Sequence, residues 1–350
     1  MGENTNAAIE AGLVSAEWYH PDIPRSKMKA LMKRSNGPAI RSTIIWLGLM
    51  AIFGGCAFVL WPSWWSVPFF LAYGVLYGSA SDSRWHECGH RTAFKARWMN
   101  DVVYQVASFM MIRNPTVWRW GHTRHHTDTH IVGHDPEIAV MRPPVLFLVF
   151  LGFFGLVGGF LGLKNMVQYS VGIIIDEQKT FIPEAEQPKV IFVARIWVLI
   201  YAAVIIFAIS IGSILPLIFV GLPTFYGAWH GLATGLLQHG GLADNVLDHR
   251  LNSRTVYINP ISRFIYWNMN YHIEHHMFPM VPFHKLPELH ELLKDDMPAP
   301  DRSMFAAYRK IWPVWMRQLK NEDCFLKREL PPTARPYKEA QKLKEVATTA

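Results

Sequence analysis

The chain contains three short histidine clusters, HECGH at 86–90, HTRHH at 122–126 and HIEHH at 272–276, and any fold has to account for all three. Imidazole is neutral near pH 7 and is a good nitrogen donor, so histidines repeated at helical spacing predict metal ligands. Positions i, i+3 and i+4 of a helix share one face. The eight candidate ligands are His86, His90, His122, His125, His126, His272, His275 and His276.

The number of donors predicts two metal ions rather than one. A single ion takes about four to six ligands, so eight nitrogen donors exceed what one ion needs. Nitrogen donors are compatible with iron, copper or zinc, and the spacing does not select among these metals. Three such clusters in one chain favour a metal centre over a set of unrelated structural histidines.

Composition predicts an integral membrane protein. Of the 350 residues, 51% are hydrophobic and only 17% are charged, which is unusually apolar for a soluble chain. The formal net charge is +7, but the chain has no nucleic-acid-binding motif. We therefore attribute the charge to membrane orientation and to contact with anionic lipids, and we expect no nucleic acid partner.

The three cysteines are far apart in sequence, at Cys56, Cys88 and Cys324. This scatter excludes a disulfide framework and a four-cysteine iron–sulfur cluster within the chain. Any electrons that the metal centre uses must therefore come from a separate protein.

Two membrane crossings are predicted before the second histidine cluster. Residues 43–61 form an uncharged stretch after a basic segment, and residues 67–80 follow a tryptophan-rich turn and continue, as one helix, into the first cluster. The loop over 84–142 carries eight Arg and Lys residues, so the positive-inside rule places it in the cytoplasm. Within it, residues 102–112 are too short to span and predict an interfacial helix.

Three further apolar stretches, 145–163, 190–210 and 214–237, precede the third cluster. An even number of crossings is needed to bring that cluster to the same membrane face as the others. We expect 145–163 not to cross, because its five glycines weaken an independent helix. The alternative is that these glycines are close-packing positions of an ordinary span.

The resulting fold class is an all-α integral membrane protein. It has about four transmembrane helices, additional interfacial or re-entrant helices, and a cytoplasmic cap rich in histidine. Residues 1–41 are a cytoplasmic N-terminal segment, 42–300 the membrane domain with the three clusters, and 301–350 a cytoplasmic C-terminal tail. Both termini are expected in the cytoplasm, and the membrane is the inner one if the source is bacterial.

The patterns HxxxH, HxxHH and HxxHH, in this order and separated by membrane spans, resemble the membrane fatty acid desaturase and hydroxylase superfamily. The flanks are similar too, notably the Asp-Pro-Glu sequence at 135–137 and the Asn-Tyr-His-Ile-Glu-His-His-Met-Phe-Pro sequence at 270–279. The resemblance covers roughly residues 40–300. It implies that the clusters hold two non-haem irons that activate dioxygen, the co-substrate.

The resemblance also implies a ninth histidine ligand between the last span and the third cluster. His239 is the candidate, and His230, His249 and His134 compete for the same role. Nearby carboxylates could orient the ligand imidazoles or could equally be salt-bridge partners of the many arginines; these are Glu87, Asp135 and Glu274. We interpret His284 and His290 as structural.

The activity that the resemblance implies is desaturation or hydroxylation of an unactivated C–H position in a fatty acyl chain or another amphiphile. Two electrons would come from a separate carrier with its reductase, of the ferredoxin, rubredoxin or cytochrome b5 type. A small non-lipid metabolite is the alternative substrate within this class. The histidine clusters alone distinguish neither desaturation from hydroxylation nor a lipid substrate from a non-lipid one.

Two other classes of protein compete with an oxygen-activating enzyme. His86-Glu87-Cys88-Gly89-His90 also fits the HExxH pattern of zinc proteases, in which Glu87 would be the general base. An intramembrane protease, however, leaves most of the other histidines unexplained. A metal transporter would need ionisable ligands inside the spans, and the predicted spans are nearly free of them.

Overall fold

The computed structural model describes residues 8–14 and 17–336, and within them it is helical without any β-strand. This confirms the predicted all-α class. The helices are α1 Arg25–Leu31, α2 Gly37–Leu60, α3 Val67–Gly74, α4 Ala80–Gly89, α5 Arg97–Met110, α6 Pro115–Thr127, α7 Leu146–Phe153, α8 Leu156–Ser170, α9 Asp176–Lys179, α10 Gln187–Ser210, α11 Leu215–Phe219, α12 Pro223–Tyr226, α13 Trp229–His239, α14 His249–Asn252, α15 Pro260–Ile265, α16 His272–Met277, α17 Leu286–Leu293 and α18 Met304–Gln318.

Two helices in the described part of the chain are long and apolar enough to cross a membrane. They are α2, and α10 with the turn before it, over Glu184–Ser210. The pair α7 and α8 would be a third span if its two helices are counted as one. Four crossings, and the side of the membrane on which the histidines lie, stay predictions.

The pair α7 and α8 is bent by 81°. The bend is at Gly155, whose φ is 64°, a left-handed conformation that glycine adopts without steric cost. A Cβ at this position would also meet the backbone of Thr224 and Phe225. The glycine-rich stretch is therefore not a straight helix, and the expectation that residues 145–163 do not cross the membrane stays a prediction.

The apolar stretch 214–237 is not one helix, and here the prediction of a single span needs correction. The chain forms the short helices α11 and α12 and then α13. Pro216 and Pro223 each lie at the start of a short helix, and Gly221 between them has a φ of 94°. Proline and left-handed glycine interrupt the backbone hydrogen bonds that a continuous span requires.

Helices α3 and α4 form one continuous rod through a π-helical segment, Val75–Ser79. This confirms that the second apolar stretch continues into the first histidine cluster. The π-segment packs on the break between α12 and α13: the Ser79 hydroxyl donates to the Gly227 carbonyl at 2.6 Å and accepts from the Gly231 amide at 2.7 Å. The rod and α13 thus have a fixed relative position.

Short helices surround the end of this rod. Helix α5 packs along α4, with Tyr104 against Gly89. It begins at Arg97, before the predicted interfacial helix over 102–112, and contains most of that segment. Helices α16 and α17 complete the main core, which includes Trp85, Ile273 and Leu289. Helix α18 packs on α13 and α7. The result is a rigid frame around the ends of α4, α6, α13 and α16.

Candidate metal centre

The structure brings all nine predicted histidines into one cluster, in which six side chains are buried and those of His90, His126 and His239 are partly exposed. The first histidine cluster lies on α4, the second on α6 and the third on α16, while His239 is the last residue of α13. The nine side chains form two groups, and within each group the potential ligand atoms lie within 4.8 Å of one another. One group is His86, His90, His122, His126 and His275; the other is His125, His239, His272 and His276.

Neighbouring residues of the same helix belong to different groups. On α6, His125 belongs to the group of four and His126 to the group of five. On α16, His276 belongs to the group of four and His275 to the group of five. Consecutive residues of a helix point about 100° apart around its axis. Helices α6 and α16 therefore each supply both groups.

The ring nitrogens that face one another are closely spaced. The Nε2 atom of His122 lies 3.1 Å from that of His90 and 3.2 Å from that of His126. In the other group, the Nε2 atom of His272 lies 3.0 Å from that of His239 and 2.9 Å from that of His276. Two nitrogens bound at about 2.1 Å to one ion and at a right angle to each other would lie about 3.0 Å apart.

Two carboxylates hold the opposite ring nitrogens. The Nδ1 atom of His122 lies 2.9 Å from an oxygen of Glu137, and that of His125 lies 2.8 Å from an oxygen of Asp135. Asp135 also accepts from the backbone N–H of His130 at 2.8 Å. The Asp-Pro-Glu sequence therefore orients two imidazoles on α6, an arrangement common around metal-binding histidines.

Neutral oxygens hold two further rings. The Nδ1 atom of His239 lies 2.8 Å from the carbonyl oxygen of Asn252, which can only accept a hydrogen bond. The Nδ1 atom of His276 lies 3.1 Å from the Thr129 hydroxyl, whose proton is donated to the His125 carbonyl at 2.6 Å. We infer that both rings carry their proton on Nδ1 and present a bare Nε2 lone pair to the group.

These tautomers explain why the site fits a cation. With Nδ1 protonated on His122, His239 and His276, their Nε2 lone pairs face other imidazole nitrogens at about the hydrogen-bonding distance. Lone pairs that converge in a buried site repel one another unless a positive ion lies between them. Five and four nitrogen donors are also suitable numbers for transition metals that keep an open position.

The buried setting keeps most of these imidazoles neutral. Burial lowers the pKa of seven of them well below the usual value near 6.5, with smaller contributions from the neighbouring histidines: His86, His90, His126, His239, His272, His275 and His276. His125 differs: burial opposes protonation, but the Asp135 carboxylate outweighs it and raises the pKa of His125. Neutral imidazole is the metal-binding form.

The three carboxylates considered from the sequence have different roles. Asp135 orients His125, as proposed. Glu87 lies 3.8 Å from His275 Nδ1 and accepts hydrogen bonds from Thr92 and from the backbone N–H of Phe283. Glu274 does not contact a ligand ring in this way; it accepts from Thr255 at 2.6 Å and pairs with His290 at 2.5 Å. Sequence reasoning did not identify Glu137, Thr129 or the Asn252 carbonyl.

The competitors of His239 lie outside both groups. The His230 ring lies 3.0 Å from the Ser262 hydroxyl, and His134 lies 2.7 Å from Arg124. His249 is nearer: its ring centroid is 5.1 Å from that of His276, but its ring nitrogens are not part of either group. His239 alone of the four candidates joins the cluster.

The geometry does not support Glu87 as the base of a zinc protease. Glu87 is fully buried, and burial raises the pKa of its carboxyl. Its Oε2 atom is occupied by Thr92 and Phe283. A general base needs an ionised carboxylate that reaches a water molecule at the metal.

The Glu137→Ala variant is expected to bind metal about 10- to 100-fold more weakly than wild type, because His122 loses the acceptor that fixes its tautomer and orientation. Competition with a chromophoric chelator measures this affinity. Glu137→Gln, which keeps an acceptor oxygen, should lose much less. Glu186→Ala, at a surface pair with Lys189, is the matched control, and an equal loss in both alanine variants would contradict the assigned role.

Comparison with known proteins places these observations in a family. The family described as fatty acid desaturase matches residues 60–308. The "Delta(12) fatty acid desaturase FAD2" of Calendula officinalis is 32% identical over 79 residues, 23% of this chain and 19% of that protein. The "sn-1 oleoyl-lipid 12-desaturase" of Synechocystis is 28% identical over 114 residues, 33% of this chain and 32% of that protein.

A longer alignment is with the "Fatty acid conjugase FAC2 B" of Calendula officinalis, 24% identical over 265 residues, 67% of this chain and 68% of that protein. The alignments thus span a third or less of the first two relatives and about two thirds of the third. The family match includes all three histidine clusters and His239. The chain belongs to the fatty acid desaturase family.

Proposed function

We propose that this protein is an oxygen-dependent membrane desaturase with two irons, which removes two hydrogens from an acyl chain. The observation that carries the proposal is the division of nine clustered histidines into groups of five and four, with facing ring nitrogens about 3 Å apart. The group of five would hold one iron and the group of four the other. Membership in the family supports iron over zinc or copper.

When bound, two irons supply the activation of dioxygen, and the remaining requirements fall to the protein. Electron balance requires that dioxygen take two electrons from the substrate and two from a carrier, and that two water molecules form. Six of the nine ligand side chains are buried, and Asp135, Glu137 and Thr129 hold three of the rings in orientation. The protein must then position one methylene pair beside the centre.

A cavity of about 10 Å³ lies beside His272, and its lining includes both apolar and polar side chains, among them Leu237, Met269 and Arg254. This volume is about that of one water molecule, so an acyl chain would enter here only if neighbouring side chains moved apart. An acyl chain that did enter an apolar channel would gain about 0.8 kcal/mol for each buried methylene.

The substrate class that we favour is a fatty acyl chain, since the relatives are named desaturases and conjugases of fatty acids and one is named for an oleoyl lipid. Hydroxylation is the second candidate reaction, because it shares the first hydrogen abstraction. The electron donor is a separate carrier, of the ferredoxin, rubredoxin or cytochrome b5 type, because the cysteines Cys56, Cys88 and Cys324 are not clustered.

The purified protein is expected to contain about two irons per chain and to convert an oleoyl lipid to a product lighter by two hydrogen atoms. The measurements are elemental analysis and mass spectrometry after incubation with dioxygen, reductase and carrier. Omission of dioxygen is the control and should abolish the product. A product heavier by one oxygen atom would instead establish hydroxylation, and about one zinc per chain without iron would refute the proposal.

A further inference from the structure

An N-terminal arm, residues 17–24, lies against the metal centre although it is outside the part of the chain that matches the family. The Trp18 indole stacks on the His249 imidazole, with ring centroids 4.3 Å apart and planes inclined by 11°. The His249 ring lies in turn 5.1 Å from that of His276, a member of the group of four. Three rings in contact therefore connect the arm to the site.

The position of Trp18 is fixed by its neighbour Tyr19. The Tyr19 backbone N–H donates to the Leu247 carbonyl at 2.9 Å, and its hydroxyl donates to Asp296 at 2.5 Å. The Arg250 guanidinium lies over the Tyr19 ring, 3.4 Å from its centroid, and pairs with Asp296 at 3.0 Å. Two consecutive arm residues thus pack on two consecutive residues of α14, which fixes the stack with His249.

The three rings differ in their access to solvent. His276 is 3% exposed and His249 is 2% exposed, so a carrier protein cannot touch either ring. Trp18 is partly exposed. Electronic coupling falls exponentially with the gap between donor and acceptor, so rings in contact provide a better path than the same distance through saturated side chains. The stack begins where a carrier can reach it and ends at a proposed ligand.

We propose that Trp18 and His249 form the path by which a one-electron carrier reduces the metal centre, and that the carrier docks over the arm. The inference rests on the proposed function. In each step a reduced carrier of the iron–sulfur class loses one electron, and the metal at the His276 group gains it. Two such steps supply the two electrons that the dioxygen reaction needs.

A second stack of rings reaches the other group, and the test must separate the two. Trp85 lies 5.5 Å from His122 and 5.6 Å from Trp118 by ring centroids. Trp118, however, lines a cavity of about 140 Å³ between α8 and α10, and α10 is a candidate membrane span. Trp118 is partly exposed, as Trp18 is, but it lies beside a candidate membrane span, whereas Trp18 lies on the N-terminal arm.

The test compares two ways of reducing the iron-loaded protein in a stopped-flow experiment without dioxygen. Trp18→Leu should be reduced several-fold more slowly than wild type by a plant-type [2Fe–2S] ferredoxin, and equally fast by dithionite with methyl viologen. Trp18→Phe, which keeps a ring, should retain most of the rate. Trp312→Leu, at a side chain that is 55% exposed on α18, is the control and should match wild type with both reductants.

Docking is tested separately on metal-free protein. A photo-crosslinking residue in place of Asp22, on the arm, should capture the ferredoxin, whereas one in place of Trp64, in the turn between α2 and α3, should not. Capture only at Trp64 would overturn the proposal. Three stopped-flow results would also overturn it: a Trp18→Leu variant that ferredoxin reduces at the wild-type rate, a Trp18→Leu variant that both reductants reduce equally slowly, or slow reduction by ferredoxin in Trp118→Leu but not in Trp18→Leu. Absence of iron from wild-type protein would instead refute the proposed function.

Discussion

The His239→Ala variant is expected to lose all turnover and to keep about half of the iron of the wild-type protein, because the group of four falls to three nitrogens while the group of five is intact. His239 contributes through a ring whose Nδ1 is fixed by the Asn252 carbonyl. Elemental analysis of the purified variant and product analysis by mass spectrometry measure the two quantities.

The matched control for this prediction is His230→Ala. His230 is on the same helix, α13, and is buried, but it contacts Ser262 and belongs to neither group. We expect this variant to keep both irons. If His239→Ala kept the full iron content and activity, His239 would be removed from the ligand set. If His230→Ala lost as much iron as His239→Ala, the effect would reflect the stability of α13 rather than ligation.

The second large effect is expected at Gly227, between α12 and α13. A Cβ at Gly227 would overlap the carbonyl oxygen of Gly74, on α3, and a Cβ at Gly78, in the π-segment, would lie 3.0 Å from the Gly227 backbone. Backbone atoms cannot rotate away as side chains can, so Gly227→Ala should cost about 3 kcal/mol or more. Detergent-solubilised protein should show a lower unfolding temperature and a smaller monodisperse fraction.

Gly235→Ala provides the comparison within the same part of the chain. A Cβ at Gly235, on α13, would meet no atom within 4 Å. This change should leave stability unaltered or raise it by up to about 1 kcal/mol, since alanine favours a helix. Equal losses at both positions would show that glycine flexibility, rather than close packing on Gly74, is what the fold requires.

The helical class and the histidine cluster could be predicted from sequence because both depend on local patterns. Apolar runs of span length and histidines at helical spacing need no knowledge of distant contacts. His239 needed the resemblance to the family, since a single histidine has no spacing to support it. The division of 214–237 into short helices was missed although Pro216, Gly221 and Pro223 are visible in the sequence, because hydropathy dominated the interpretation.

The supporting contacts could not be predicted because they join positions that are far apart in the chain. Thr129 meets His276, and Trp18 meets His249. The Asn252 carbonyl is a further case, because a backbone acceptor has no sequence signal at all. Glu137 is different, because it belongs to the Asp-Pro-Glu sequence that follows the second histidine cluster, and metal-bound histidines commonly have carboxylate partners.

Helices α6 and α16 each send one histidine to one group and the next histidine to the other. The spacing between the two proposed irons is therefore set by the pitch and radius of two helical turns, which are among the stiffest dimensions of a polypeptide. The separation of the two consecutive histidine Cα atoms within each helix does not depend on the surrounding loops, so α6 and α16 both constrain the distance between the two groups.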